Sequence, residues 1–221
     1  MEKTKDRLKF QIILRILFWC MALVIILTIA IAWWQYPEPY EFLQETVSAL
    51  GGELSDTGLA NNTSSMIMMI GFGVSGVFAL TISIIYFVKF RLRYNIIKAI
   101  LSLTIAVGVA SIAIPRDDPQ LRKFHYIGAA VFLISFGVLN FVCQALRYIR
   151  KHRPQPNRKK LDYWVDIIFV VLVFISCFLF LAIFVLEHFS IDTSFLTVAL
   201  TQKITLIIYL IAISLLNIND M

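Results

Sequence analysis

The chain has 221 residues, of which 59% are hydrophobic and only 15% are charged. In soluble domains about half of the residues are apolar and about a quarter are charged, so the composition excludes an ordinary soluble domain. The net charge of +6 is also a feature of nucleic-acid-binding proteins, but here the basic residues form short clusters between long apolar runs, as membrane topology requires. We therefore expect no nucleic-acid partner.

Six apolar runs predict six transmembrane helices in one all-α domain that covers residues 1–221. A helix needs about 20 residues to cross the hydrocarbon core, and the alternating polarity of β-barrel strands is not seen. The first run is too long for a signal peptide and no small-residue cleavage site follows it, so we interpret it as a retained span. The predicted spans are residues 11–34, 64–88, 95–114, 124–147, 163–186 and 195–217.

Lysine and arginine are distributed unevenly between the predicted connections. The N-terminal tail with Arg15 carries five, the second connection four and the fourth seven, which places 16 of the 20 basic residues on one side. Because basic residues accumulate in cytoplasmic loops, both termini are predicted to be cytoplasmic. The third connection, with Arg116, Arg122 and Lys123, is a small exception. We expect an integral protein of the plasma membrane or of an endomembrane.

The first predicted outer loop, about 35–63, contains five acidic residues and no basic one. Within it Leu43, Val47 and Leu50 lie on one helical stripe, which predicts a short amphipathic helix. This helix would either lie on the membrane surface or cover the end of the bundle. The following Ser55-Asp56-Thr57-Gly58 is typical of a turn that satisfies its own backbone amides.

Two of the ionisable residues inside or next to predicted spans are candidates for a functional role. His125 begins span four and is suited to hydrogen bonding, to proton transfer or to metal binding. Lys203 lies within span six, where an ammonium costs at least about 2.5 kcal/mol unless it is paired or reaches the interface. Its candidate partners are a lipid phosphate and the carboxylates of Asp56, Asp118 and Glu187.

The string Ser55-Asp56-Thr57-Gly58 before a glycine-bearing second span resembles the signature of the damage-regulated autophagy modulators, members of the Frag/DRAM/Sfk superfamily. The opening of span four, His125-x-x-Gly128-Ala129, and the Gln144 near its end are also similar to that family. The resemblance implies six spans and a role in membrane lipid handling, such as autophagy modulation, recruitment of a phosphoinositide kinase or remodelling of GPI lipids. It implies no shared catalytic mechanism.

The leading hypothesis is a non-enzymatic protein that binds membrane lipid and needs no cofactor or metal. A lipid headgroup would bind in an outer crevice, and the residues predicted to form this site are Ser55, Asp56, Thr57, His125 and Lys203.

An alternative hypothesis is an intramembrane lipid hydrolase or acyl-transfer enzyme. Ser55 or Ser48 would be its nucleophile, His125 or His188 its base and Asp118 the orienting group. A metal-dependent version would place His125, His188 and a carboxylate on one ion.

A third hypothesis concerns the basic fourth connection, which would attract anionic lipid at about 1 kcal/mol per basic residue or recruit a cytoplasmic protein partner. The residues of this predicted surface are Arg147, Arg150, Lys151, Arg153, Arg158, Lys159 and Lys160.

Overall fold

The computed structural model describes residues 2–88, 92, 94–117, 120–151, 160–189 and 196–216, with the backbone alone for residues 2–7, 150, 151, 160–163 and 188. These residues form six α-helices, one short 3-10 helix and no strand, which confirms the predicted all-α class. The helices are α1 (Glu2–Trp34), α2 (Asn62–Val88), α3 (Asn95–Ile112), α4 (Arg122–Lys151), α5 (Lys160–His188) and α6 (Val198–Ser214).

Five of these helices, α1 to α5, are long and apolar enough to cross a membrane. The apolar part of α1 begins at Leu8, after the charged N-terminal turns. The sixth helix, α6, is apolar as well but has 17 residues, so it is shorter than the other five. The structure is thus compatible with integration into a membrane. Its helices coincide with the predicted apolar runs to within a few residues, except that α1 begins at Glu2, nine residues before the predicted span.

Consecutive helices pack against each other, and α6 also contacts α4 and, less extensively, α1. Glycine permits the closest approach, between α3 and α4: a Cβ on Gly128 would lie 2.2 Å from the Cβ of Ser111, and one on Gly108 would lie 2.6 Å from the backbone nitrogen of Phe132. These two glycines therefore let the helix backbones touch, as small residues do in membrane bundles. Gly73 of α2 has open space around it and has no such role.

Aromatic side chains connect α2, α4 and α6 through the middle of the bundle. Phe72 meets Phe132 edge to face with ring centroids 6.3 Å apart. Phe132 stacks on Phe136 at 5.7 Å, and Phe136 meets Tyr209 edge to face at 5.7 Å. Such pairs stabilise a core beyond the area that they bury, by about 0.5–1.5 kcal/mol each.

Residues 35–61, here called the cap, cover one end of the bundle. The predicted amphipathic helix is in fact a five-residue 3-10 helix, Val47–Gly51, and all five of its residues are buried. Leu43, which we expected on the same apolar stripe, is 63% exposed. The 3-10 helix therefore inserts into the end of the bundle. Of the predicted stripe only Val47 and Leu50 are buried, because a separate turn from Glu41 to Glu45 precedes the 3-10 helix and leaves Leu43 outside it.

Candidate functional site

The sequence Ser55-Asp56-Thr57-Gly58 forms a tight reversal in the cap. The backbone of Leu54 bridges to that of Ala60 in antiparallel fashion, and the Ser55 N–H donates to the Leu59 carbonyl at 2.8 Å. Gly58 has a φ of +86°, a conformation that favours glycine. The Oγ of Ser55 accepts the Leu59 N–H at 3.1 Å. The motif is thus a self-satisfied turn, as its residue types predict.

Asp56 connects this turn to the segment between α3 and α4. Its carboxylate forms a salt bridge with Arg116, and the Nε of Arg116 lies 3.5 Å from Asp117. Asp117 in turn accepts the Leu54 N–H at 3.1 Å. Burial alone would lower the pKa of Arg116, but the hydrogen bond and charge of Asp56 outweigh it and raise that pKa. Arg116, a basic exception in the predicted topology, is therefore neutralised within the structure.

Thr57 connects the turn to the start of the cap. Its hydroxyl and its backbone N–H both donate to the carboxylate of Glu38. The hydroxyl bond is the main reason why the pKa of Glu38 lies below its ordinary value of 4.5. We name the contacts of Glu38, Asp56, Thr57, Arg116 and Asp117 the clasp, because together they hold three segments at the end of the bundle.

His125 lies at the start of α4 and is fully buried. Its Nδ1 is 2.7 Å from the carbonyl oxygen of Ile114. A carbonyl only accepts, so Nδ1 carries the proton and Nε2 keeps a lone pair. That Nε2 has no hydrogen-bond partner among the described residues. His125 therefore joins α4 to the end of α3, and within the described residues it forms no hydrogen bond to the turn at Ser55.

Lys203 has partners that the sequence did not reveal. Its ammonium donates to the carbonyl oxygens of Phe42 and Glu45 and lies 4.8 Å from the ring centroid of Tyr40 and 4.5 Å from that of Phe42. We expected carboxylate partners; neither Asp56 nor Glu187 pairs with Lys203, and Asp118 lies outside the described residues. Backbone carbonyls and aromatic faces stabilise the buried charge instead.

The five predicted headgroup residues thus fall into separate contact sets. Ser55, Asp56 and Thr57 belong to the turn and the clasp, His125 joins α4 to α3, and Lys203 joins α6 to the other side of the cap. Two tyrosines lie between the clasp and Lys203. Tyr36 and Tyr40 meet edge to face at 5.9 Å, and burial together with the charge of Glu45 raises the pKa of Tyr36 to about 12.

Arg147 does not belong to a basic surface. Its side chain is buried, it pairs with Asp166 of α5 at 3.0 Å, and it donates to the Leu215 carbonyl at 2.7 Å. Its inclusion in the predicted surface is therefore wrong, since a buried, paired guanidinium cannot bind lipid at a surface. The other members lie at positions whose side chains are not described: Arg150, Lys151, Arg153, Arg158, Lys159 and Lys160.

A cleft of about 930 Å³ lies at the cap end between α4, α5 and α6. Its polar lining includes Gln44, Lys123 and Glu187, and its apolar lining includes Ile127 and Val185. The carboxylate of Glu187 accepts the Val198 N–H at 2.8 Å, which fixes one wall. Sequence reasoning missed this cleft because its lining comes from four segments that are distant in the chain.

The arrangement expected of a hydrolase is not seen in the described part of the chain. Neither Ser48 nor Ser55 is hydrogen-bonded to His125 there, and no group of three His, Cys, Asp or Glu side chains is placed to hold a metal ion. The side chains of His188 and Asp118 lie outside the description.

Comparisons with protein-family models, with curated proteins and with solved structures find no match to this chain.

Proposed function

We propose that the protein is a six-span membrane protein with both termini in the cytoplasm, and that it binds membrane lipid without catalysing a reaction on it. The length and apolarity of α1 to α5 support the membrane location, and the apolar α6 supplies the sixth span. The distribution of Lys and Arg supports the orientation, which places the cap on the outer face. The resemblance to the damage-regulated autophagy modulators supports a role in lipid handling.

The cleft between α4, α5 and α6 is the observation that carries this proposal. Its volume of about 930 Å³ is within the range of ligand pockets, about 300–1,000 Å³. Polar residues such as Gln44 and Lys123 stand beside apolar ones such as Ile127 and Phe184. A lipid has the same division, with a polar headgroup attached to apolar chains. In the proposed topology the cleft lies at the outer ends of the spans, which is where a headgroup meets its chains. We assign the headgroup to the polar part of the lining.

Native mass spectrometry of the protein purified gently from its own membrane tests the proposal. We expect the wild type to retain a defined lipid. Val185→Trp fills the cleft and should reduce the retained fraction by about tenfold or more, since the bulk of an indole excludes a chain from the same space. Val171→Trp is the matched control, because it adds the same bulk on the same helix at a residue of similar exposure, 46% against 41% for Val185.

Loss of the lipid from the Val185 variant alone supports the proposal. A wild type that retains no lipid, or equal retention in both variants, would overturn it. Turnover of the bound lipid during incubation would instead support the hydrolase hypothesis. The headgroup role of Ser55, Asp56 and Thr57 stays a prediction, and an Asp56→Ala variant that retains the lipid unchanged would argue against it.

A further inference from the structure

A second, smaller groove lies between α1 and α6 below the cap. Its volume is about 240 Å³, and apolar residues such as Ile29, Val47 and Leu206 line it. Ile26 and Ile207, which also line the groove, are about half exposed, at 48% and 51%. The groove is therefore open to the lipid-facing side of the bundle. It shares no lining residue with the cleft between α4, α5 and α6.

The ammonium of Lys203 lies at the cap end of this groove. Among the described residues that line the groove, Lys203 is the charged one. Its bonds to the carbonyls of Phe42 and Glu45 use two of the three N–H groups of an ammonium. Among the described residues no third hydrogen-bond acceptor contacts the ammonium, and its other neighbours are the rings of Tyr40 and Phe42. In such surroundings of low polarity a charged hydrogen bond to a ligand is strong.

We propose that this groove binds one acyl chain whose anionic headgroup accepts the remaining N–H of Lys203. The proposal goes beyond the cleft described above and rests on the proposed function only in placing the bundle in a membrane. Two classes of ligand have this chemistry, an acyl chain that ends in an anion: a fatty acid with its carboxylate and a lysophospholipid with its phosphate. The groove is smaller than a pocket for a drug-sized ligand, about 300 Å³ or more, and so suits one chain better than two.

Charge complementarity favours an anion over a neutral headgroup. A neutral alcohol would accept one hydrogen bond from the ammonium but would supply no counter-charge. The carboxylate of Glu45 would compete with an anionic ligand for the ammonium, since it interacts electrostatically with Lys203. One of its oxygens is already used by the Glu41 N–H at 3.0 Å, and it forms no ion pair with Lys203 within the described residues. Removing the Glu45 charge should therefore strengthen the binding of an anionic chain.

The test measures binding of three single-chain probes to the full-length protein in neutral detergent by native mass spectrometry: palmitate, a palmitoyl lysophosphatidic acid and hexadecanol. We expect at least one anionic probe to bind about tenfold to a hundredfold more tightly than the alcohol, as one hydrogen bond to a charged group predicts. Lys203→Met should remove this preference. Glu45→Gln should increase it.

Lys203→Met also removes two bonds to the cap, so a second pair of variants keeps the test independent of folding. Ile207→Trp fills the groove without touching the contacts of Lys203 and should abolish binding, whereas Ile211→Trp, on the same helix and 48% exposed, should not. Equal binding of alcohol and anions, or of the two tryptophan variants, would overturn the proposal. If this proposal fails while Val185→Trp still reduces the retained lipid, the proposed function is unaffected.

Discussion

Each end of the helix bundle has an arginine–aspartate pair, and the two pairs differ in burial. At the cap end Arg116 pairs with Asp56, whose side chain is 53% exposed. At the opposite end Arg147 pairs with Asp166, whose side chain is 1% exposed. Exposed pairs contribute about 0–1 kcal/mol, whereas removing one partner of a buried pair costs about 3–5 kcal/mol. The same two residue types therefore hold a surface segment in one place and three helices in the other.

The difference in burial also bears on which end of the bundle opens more easily. The clasp joins the cap to neighbouring segments by contacts that water and salt weaken. The buried pair joins α4 to α5, and Arg147 additionally bonds the end of α6. We infer that the cap end can open locally while the opposite end stays packed. Both proposed lipid sites lie at the cap end, where local opening admits a ligand.

The largest expected effect on stability is found when the aspartate of each pair is replaced by asparagine and the two losses are compared. Asp166→Asn leaves the Arg147 charge buried without a counter-charge and should lower the free energy of unfolding by about 3 kcal/mol or more. Asp56→Asn should lower it by less than about 1 kcal/mol, since Asp117 still lies beside the Arg116 guanidinium and the side chain of Asp56 is itself half exposed. Unfolding by a denaturing detergent in mixed micelles measures both values.

A double variant, Arg147→Met with Asp166→Leu, is the control for this comparison. It removes both charges and should recover most of the stability that Asp166→Asn loses, because no charge is left buried. Equal losses in the two Asp→Asn variants would contradict the distinction between a buried and an exposed pair.

A smaller effect is expected for Asn61, the last residue of the cap before α2. The amide of Asn61, which is 2% exposed, donates to the carbonyls of Leu50 and Gly52 at 3.1 and 2.9 Å. Asn61→Ala leaves the Gly52 carbonyl without this donor and should destabilise the cap by about 1–3 kcal/mol. Hydrogen exchange of residues 47–60 measures the loss directly.

The neighbouring Asn62 provides the matched control, since it is exposed. Asn62→Ala should change stability by less than about 0.5 kcal/mol. If the exchange rates of the cap were equal in the two variants, the bonds of Asn61 would have no part in holding it. The bonds of Ser64 to the Leu50 carbonyl at 2.8 Å and of Ser65 to the Gly51 carbonyl at 3.0 Å would then be sufficient.

The helices were predictable because a membrane-spanning helix is a local property of about 20 consecutive residues. The partners of the charged residues were not, because they are distant in the chain: Asp56 and Arg116 are 60 residues apart, and Lys203 and Phe42 are 161 apart. The sequence shows that a charge is present but not whether it is buried, so Arg147 could not be distinguished from a surface residue. A short amphipathic helix was predicted within the cap because Leu43, Val47 and Leu50 have helical spacing, whereas the insertion of residues 47–51 depends on contacts with α1, α2 and α6.

The smallest expected effect is a pH dependence of the clasp. The Thr57 hydroxyl holds the pKa of Glu38 below 4.5, the ordinary value that it regains on unfolding. A carboxyl whose pKa is lower in the folded state contributes stability that is fully present above its unfolded pKa and is lost as the pH falls through its folded pKa. Hydrogen exchange of the cap should therefore be independent of pH, after correction for the intrinsic exchange rate, from neutrality to about 4.5 and accelerate below it.

Glu38→Gln isolates this contribution from the other acids of the cap. The variant cannot lose a charge at position 38. The difference in cap exchange rate between wild type and variant should therefore be constant above pH 4.5 and shrink at lower pH. The residues around the Arg147–Asp166 pair should exchange equally in both proteins over the same range, since Glu38 lies at the other end of the bundle. A difference that stays constant to the lowest pH would mean that the Glu38 carboxylate does not stabilise the clasp through Thr57.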